Sequence, residues 1–95
     1  MMFTEHIKKL REEQQTPQRV LAAALEIDTA TYCKIEKGER KARREQVITI
    51  AKQLRTNKDD LLSLWLADQV TAVVIDERKL SNKVLEIAKE NITRK

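Results

Sequence analysis

The chain has 95 residues and a net charge of +4, which is enough material for one small domain but not for two. Hydrophobic residues make up 41% of it, and it is rich in Leu, Ala, Lys, Glu, Gln and Arg, so the composition predicts an all-α fold. The single cysteine excludes an internal disulfide and suits a cytoplasmic protein. No signal peptide is evident. The longest apolar-rich stretch, residues 70–75, is too short to cross a membrane.

Two helices are predicted in the first quarter of the chain. Apolar residues recur at helical spacing at Phe3, Ile7 and Leu10. We expect Thr4 to cap this first helix, which should end near Gln15. Thr16 and Pro17 then give a start signal, with threonine as the N-cap and proline in the first helical position. The apolar face of the second helix contains Leu21, Ala22 and Leu25.

A third and a fourth helix follow. Asp28 is a plausible N-cap for a helix over about residues 29–36, with Tyr32 and Ile35 facing inward. Gly38 should end it, as a C-terminal glycine does. A basic loop then runs to about Arg43. The fourth helix is marked by Val47, Ile50, Ala51 and Leu54.

The last third of the chain predicts two more helices. Asn57 should cap the fifth, with Asp60 in the position of a capping-box acid. Its apolar residues are Leu61, Leu62, Trp65, Leu66, Val70 and Val73. Residues 70–75 are β-branched enough for a strand, but the helical phase continues and no partner strand is predicted, so we expect helix up to Asp76. The sixth helix is amphipathic through Leu80, Val84, Ile87, Ala88 and Ile92.

The positive charge is concentrated in one segment. Residues 34–44 contain six cations and two anions, whereas the rest of the chain has 13 of each. A local basic patch is what a nucleic acid partner requires, because each neutralised phosphate releases a counterion. A solvated basic loop would have the same composition, so charge alone does not decide between the two.

The second and third helices, joined by residues 26–28, form a candidate helix-turn-helix. In that motif the second helix lies in the major groove of DNA, and its outward residues near the N-terminus contact base edges. The small side chains that open the third helix would let it lie deep in the groove. The cations after it would then reach the flanking phosphates.

Residues 18–40, "QRVLAAALEIDTATYCKIEKGER", resemble the helix-turn-helix of the Xre/Cro-like, or lambda-repressor-like, family of regulators. The matching positions are Gln18, Leu21, Ala22, Leu25, Ile27, Ile35, Glu36 and Gly38. The resemblance continues through "REQVITIAKQL" and "NKDDLL" and covers about Phe3 to Leu62. It implies a five-helix lambda-repressor-like DNA-binding domain, to which this chain adds a C-terminal helix.

Two positions depart from the family pattern. Glu26 stands where the turn usually has glycine, so a positive φ there would cost on the order of 1 kcal/mol. Tyr32 stands where the third helix often has Ile or Val, and its hydroxyl would need water or another hydrogen-bond partner.

The resemblance assigns roles to individual residues. The implied base contacts are Thr29, Ala30, Cys33 and Lys34. The implied phosphate contacts are Gln18, Thr31, Lys37, Arg40, Lys41, Arg43 and Arg44. Each of these residues could instead be an ordinary surface residue of its helix or loop. Arg11 and Glu36 match a pair that forms a buried salt bridge in the family.

Two further residues have open alternatives. Cys33 could act as a redox switch, but a single thiol without a resolving partner is more often just a small side chain. His6 is a lone histidine on the first helix, which favours a surface role over a metal site. The sequence predicts no metal and no cofactor.

We expect residues 1–62 to form the DNA-binding domain and residues 63–95 a helical extension of the same unit. Regulators of this type usually bind as symmetric dimers, and the extension would supply the interface. The candidate interface residues are Trp65, Leu66, Val70, Val73, Leu80, Val84 and Ile87. Part of this set must be internal, and Trp65 with its leucine neighbours is expected in the core, although these residues could also form an interface.

The sequence therefore predicts a homodimeric, sequence-specific transcription regulator, a repressor or autoregulator, that binds a palindromic operator in double-stranded DNA. Alternatives of the same fold are an antitoxin, which would bind a second protein, and a restriction-modification controller. A protein–protein adaptor that has lost DNA binding is an alternative of another class. An enzyme is disfavoured because the chain has one histidine and no catalytic or metal-binding motif.

Overall fold

The computed structural model describes residues 1–94, which form six α-helices and no strand. The helices are α1 (Met2–Glu13), α2 (Gln18–Ala24), α3 (Thr29–Lys37), α4 (Arg44–Gln53), α5 (Lys58–Val74) and α6 (Ser81–Thr93). The predicted all-α fold with one helix beyond the first five is confirmed. The β-branched residues before Asp76 continue α5, as the helical phase of their apolar neighbours predicted.

Residues of all five helices from α1 to α5 form the core, and α6 contributes no buried residue to it. Its largest fully buried side chains are Tyr32, Ile7, Leu21, Ile35, Ile50, Leu54, Leu61 and Val47. All of them stand at positions where helical periodicity predicted an inward face. Removing a core side chain of this size to alanine typically costs about 2–5 kcal/mol, so these residues hold the five helices in one arrangement.

Helix α3 begins and ends where the sequence predicted. The Asp28 carboxylate accepts a hydrogen bond of 2.7 Å from the Thr31 backbone N–H, which caps the helix. Gly38 ends it in the left-handed region, with φ of +80°. At α5 the Asn57 side chain accepts from the backbone N–H groups of residues 59 and 60, so that predicted cap is also confirmed. No reciprocal bond from Asp60 to the Asn57 backbone forms within residues 1–94.

The predicted caps of α1 and α2 are wrong. Thr4 lies inside the first turn of α1, and its hydroxyl donates to the Met1 carbonyl. Thr16 belongs to the end of α1, since its backbone N–H donates to the Arg11 carbonyl and its own carbonyl accepts from the Arg11 guanidinium. Pro17 is therefore the N-cap of α2, one position later than expected. Helix α1 ends at Glu13, two residues earlier than predicted.

Four helices end in a left-handed residue, but only α3 uses glycine there. The other three are Gln15 after α1, Glu26 after α2 and Arg55 after α4, with φ between 52° and 59°. At each end the next backbone N–H returns to a carbonyl of the last helical turn, the Schellman arrangement. The predicted positive φ at Glu26 is confirmed. Each side chain of this kind stores roughly 1 kcal/mol of backbone strain.

The N-terminus of α1 is capped from the other end of the fold. The Asp68 carboxylate on α5 accepts hydrogen bonds from the backbone N–H groups of Met2 and Phe3, at 3.2 and 2.8 Å. Asp68 is only 8% exposed. Its carboxylate lies at the positive end of the α1 dipole, where an acidic side chain stabilises the helix. Asp68 thus fixes α1 against α5.

Helix α6 extends away from the first five helices. The molecule measures 42 × 27 × 22 Å, and its radius of gyration is 15.2 Å. A compact domain of this length would have a radius of gyration of about 12 Å. The apolar side chains of α6 stay largely in solvent. Of the helices within residues 1–94, none combines the length and the apolar character needed to traverse a bilayer.

Candidate nucleic-acid interface

The outer face of α3 is exposed and carries small or cationic side chains. Thr29 and Ala30 lie in its first turn, and both are exposed. Ala30, Lys34 and Lys37 follow one another along a single line of the helix surface, at spacings of four and three residues. Tyr32 and Ile35 point to the opposite side and are buried. Helix α3 therefore presents to solvent the face that the sequence predicted.

The N-terminus of α3 is held rigidly by its cap. Hydrogen bonding from Thr31 holds the pKa of Asp28 below its ordinary value, and the positive charges of Lys34 and Arg40 act in the same direction. The carboxylate therefore stays ionised at the positive end of the helix dipole.

A buried salt bridge fixes α3 to α1, as the family resemblance implied. The Arg11 Nη2 lies 2.7 Å from Glu36 Oε1, and its Nε lies 3.0 Å from Oε2. The side chains are 13% and 3% exposed. The hydrogen bond to Glu36 raises the pKa of Arg11. Burial acts to raise the pKa of Glu36, but the hydrogen bond and charge of Arg11 prevail and the pKa is lowered.

The hydroxyl of Tyr32 lies in the same buried region. Burial raises the pKa of Tyr32, and the neighbouring Glu36 carboxylate raises it further. Within residues 1–94 the hydroxyl makes no hydrogen bond of good geometry. The Glu36 carboxylate is therefore close enough to affect the hydroxyl but does not meet hydrogen-bond geometry, and Tyr32 contributes to the core mainly through its ring.

Two predicted DNA contacts on different helices meet each other. The Cys33 thiol donates to Gln18 Oε1 at 2.8 Å, and Gln18 Nε2 donates to Glu36 Oε1 at 3.4 Å. Gln18 opens α2 and both partners belong to α3, so these bonds join the two helices of the motif. Cys33 is half-buried on the side of α3 that faces α2. Its thiol lies beside the outer line of α3 rather than on it.

The basic segment leaves its cations free. The exposed cations are Lys34, Lys37, Arg40, Lys41, Arg43 and Arg44. Within residues 1–94 none of them forms a salt bridge. The Lys41 ammonium lies 5.9 Å from the centre of the Trp65 ring, a cation–π distance. The backbone N–H of Arg43 donates to Gln46 Oε1 at 2.9 Å, a capping bond at the N-terminus of α4, which begins at Arg44.

This arrangement gives the surface its chemistry. A capped helix presents a narrow outer face. Cations that form no salt bridge within residues 1–94 lie in its last turn and in the seven residues that follow it. Hydrogen-bonding and methyl groups on such a helix match the base edges of a major groove, and the cations match phosphates. Sequence reasoning found these residues, but not the thiol–amide contact between Cys33 and Gln18, which no motif indicates.

The comparison with known families agrees with this geometry. Residues 7–61 match the family model described as Helix-turn-helix, which covers more than half of the chain and includes α2 and α3. No curated protein and no solved structure matches the chain with significant similarity. Members of the family are DNA-binding transcription regulators and are not typically enzymes. The chain belongs to the Xre/lambda-repressor-like helix-turn-helix family.

Proposed function

We propose that the protein is a homodimeric, sequence-specific regulator that binds a palindromic operator in double-stranded DNA and represses transcription, including that of its own gene. One observation carries the proposal. The outer face of α3 is exposed beside six exposed cations that have no ion-pair partner within residues 1–94. A surface of free cations around a capped helix has its best complement in a groove flanked by phosphates.

Helix α3 supplies the sequence preference. Lys34 reaches guanine O6 or N7, and the Ala30 methyl contacts a thymine methyl. Thr29, at the first position of the helix, reaches a base edge or the adjacent phosphate. Cys33 lies at the edge of this set. The exposure of Thr29, Ala30 and Lys34 supports the assignment.

The surrounding residues supply affinity that is independent of sequence. The proposed phosphate contacts are Gln18, Thr31, Lys37, Arg40, Lys41, Arg43 and Arg44. Each phosphate neutralised by a cation should add about 0.9 to the slope of log affinity against log salt concentration. Gln18 must turn from Cys33 and Glu36 to reach DNA with its amide, whereas the cations form no salt bridge within residues 1–94.

The extension beyond residue 62 supplies the dimer interface. Leu66, Val70 and Val73 lie on one line of α5 and are 52%, 48% and 80% exposed. Leu80, Val84 and Ile87 form a similar line at α6, with exposures between 41% and 51%. Trp65 packs against the core and donates to the Ala42 carbonyl, so we place it at the margin of this interface. Pairing two copies would remove both lines from water.

The same exposed face of α6 favours one alternative. An antitoxin that also represses its operon would use such a face to bind its toxin. Copurification of a second protein in a constant ratio would support that function. A homodimer that needs no other protein for stable DNA binding would exclude it.

The proposal is tested by selecting bound DNA from random duplexes with the purified protein and by measuring its mass through light scattering. We expect an enriched palindrome with half-sites about one helical turn, ~34 Å, apart and a mass of two chains. Ala30→Glu, on the outer line of α3, should abolish the enrichment, whereas Lys89→Ala on α6 should not change it. Binding without enrichment of any sequence would contradict the proposal.

A further inference from the structure

A cleft of about 450 Å³ lies between the start of α1, the loop after α3 and the middle of α5. Seven of its thirteen lining residues have apolar side chains, namely Met1, Phe3, Ile35, Ala42, Trp65, Ala72 and Val73, of which Val73 also belongs to the proposed dimer interface. Its charged lining residues are Arg40, Lys41 and Asp68. A volume of this size is in the range of sites that bind small organic molecules.

Some polar groups of the cleft already form hydrogen bonds within the fold, and others form no salt bridge within residues 1–94. Both oxygens of Asp68 accept backbone hydrogen bonds from α1, and the Trp65 N–H donates to the Ala42 carbonyl at 3.0 Å. These groups are committed to the fold. Arg40 and Lys41 are exposed and form no salt bridge within residues 1–94. The unsatisfied charge at the cleft is therefore positive.

The positions of these residues define a polarity within the cleft. Phe3 and Ile35 are 4% and 1% exposed, so they form an apolar floor. The two exposed cations lie at the solvent side, where Lys41 is placed 5.9 Å from the Trp65 ring. The space beside Gly38 is open, since no atom other than those of Gly38 and its two chain neighbours lies within 4 Å of the position that a Cβ would take there. A ligand with an apolar body and one anionic end would match both parts.

We propose that this cleft binds a small organic carboxylate with an aromatic or branched apolar body. The body would lie on Phe3, Ile35 and Trp65, and the carboxylate would pair with Lys41 and Arg40. The Asp68 carboxylate does not oppose it, because its charge is compensated by the α1 N-terminus that it caps.

Occupancy of the cleft would control DNA binding, a consequence that rests on the proposed function. Arg40 and Lys41 are proposed phosphate contacts, and a cation paired with the ligand carboxylate cannot neutralise a phosphate at the same time. The ligand would therefore release the protein from DNA, as an inducer does.

Binding is tested first without DNA, with 4-phenylbutyrate as the probe. Trp65 is the single tryptophan, so its emission reports on the cleft directly, and calorimetry gives the affinity. We expect saturable binding of 4-phenylbutyrate and none of 4-phenylbutylamine, which has the same body and the opposite charge. Lys41→Gln should weaken binding two- to fivefold, as the loss of one exposed ion pair does.

A matched pair of variants locates the site. Ala72→Leu fills the cleft and should weaken binding by roughly tenfold or more, because a packed site does not accommodate added methylenes. Ala67→Leu makes the same change on α5 outside the cleft lining and should leave binding unchanged. Circular dichroism checks that both variants fold, which is expected because both alanines are exposed.

Three results would overturn the proposal. Equal binding of the amine would reveal an apolar groove without charge recognition. Equal effects of the two alanine variants would place the probe elsewhere. Loss of probe binding as the protein is concentrated into dimers would show that a second copy covers the cleft.

An experiment with bound DNA distinguishes the ligand site from the proposed DNA-binding function. The probe should release a bound operator from wild-type protein but not from Ala72→Leu. Probe binding without release of bound DNA would refute the control of DNA binding by the cleft. Failure of the unliganded protein to bind DNA would refute the proposed function, while the fluorescence result still decides whether the cleft is a ligand site.

Discussion

Replacement of Arg11 by methionine tests how α3 is held in place. The change removes all three hydrogen bonds from Arg11 to the Glu36 carboxylate and the one to the Thr16 carbonyl, and it leaves Glu36 without a cation. Glu36 is the more buried partner, with a side chain only 3% exposed. An orphaned carboxylate at that position is the main source of the expected loss.

The size of the loss follows from the burial of the pair. Breaking a buried ion pair from one side costs about 3–5 kcal/mol, and the partial exposure of Arg11 favours the lower end, about 3 kcal/mol. For a domain of this length each kcal/mol shifts the melting temperature by about 4–8 °C, so we expect a decrease of roughly 12–24 °C. Glu36→Gln should cost less, because the stranded Arg11 is 13% exposed and keeps its bond to Thr16.

Thermal and urea unfolding followed by circular dichroism measure these changes. Arg19→Met is the matched control, since Arg19 is exposed and forms no salt bridge within residues 1–94. The double variant Arg11→Met/Glu36→Gln should lose less than the sum of the two single changes. A loss below about 1 kcal/mol for Arg11→Met, or strict additivity, would refute a buried, coupled pair.

The same pair predicts a pH dependence. Because the pKa of Glu36 is lowered in the folded state, its contribution to stability is complete above the ordinary value of 4.5 and is lost as the pH falls through the folded pKa. The wild type should therefore lose stability on acidification below about pH 4.5, and Glu36→Gln should lose less over the same range. Parallel pH profiles of the two proteins would contradict the lowered pKa.

The remaining predictions concern backbone conformation, capping and assembly. Glu26→Gly should raise the free energy of unfolding by about 0.5–1 kcal/mol, and Gly38→Ala should lower it by about 1 kcal/mol, because both positions have positive φ. Urea unfolding measures both changes, and a change of the opposite sign for either variant would contradict this reasoning. Asp68→Ala should cost about 2–3 kcal/mol by removing two charge-assisted bonds from the α1 N-terminus, and an unchanged melting temperature would exclude such a cap. Val70→Glu should convert the proposed dimer to a monomer in light scattering while the core helices stay folded, and an unchanged mass would place the interface elsewhere.

Local rules account for what the sequence predicted well. Asp28 and Gly38 set the two ends of α3 through local interactions. The Asp28 carboxylate caps the N-terminus, and Gly38 ends the helix in a left-handed conformation. The inward positions of Tyr32 and Ile35 follow from helical periodicity alone. The family resemblance supplied the partner of Arg11, which lies 25 residues away and which no local rule would have identified.

Competing uses of the same residue account for what the sequence missed. Thr16 has the right type for an N-cap, but the end of α1 takes both of its backbone groups, so Pro17 starts α2. Asp68 reads as an ordinary polar position of α5, and only the packing of α5 against α1 turns it into a cap. The cleft beside Trp65 is likewise a product of three elements that meet in space.

The direct test of whether α3 contacts the bases compares the DNA affinities of Lys34→Ala and Arg43→Ala. Each variant is measured on a selected operator and on a scrambled duplex over a range of salt concentrations. We predict that Lys34→Ala lowers the ratio of specific to non-specific affinity at one base position, by about 1–3 kcal/mol. Arg43→Ala should weaken both duplexes alike and reduce the salt slope by about 1. The reverse pattern, or an unchanged specificity ratio in Lys34→Ala, would contradict the account.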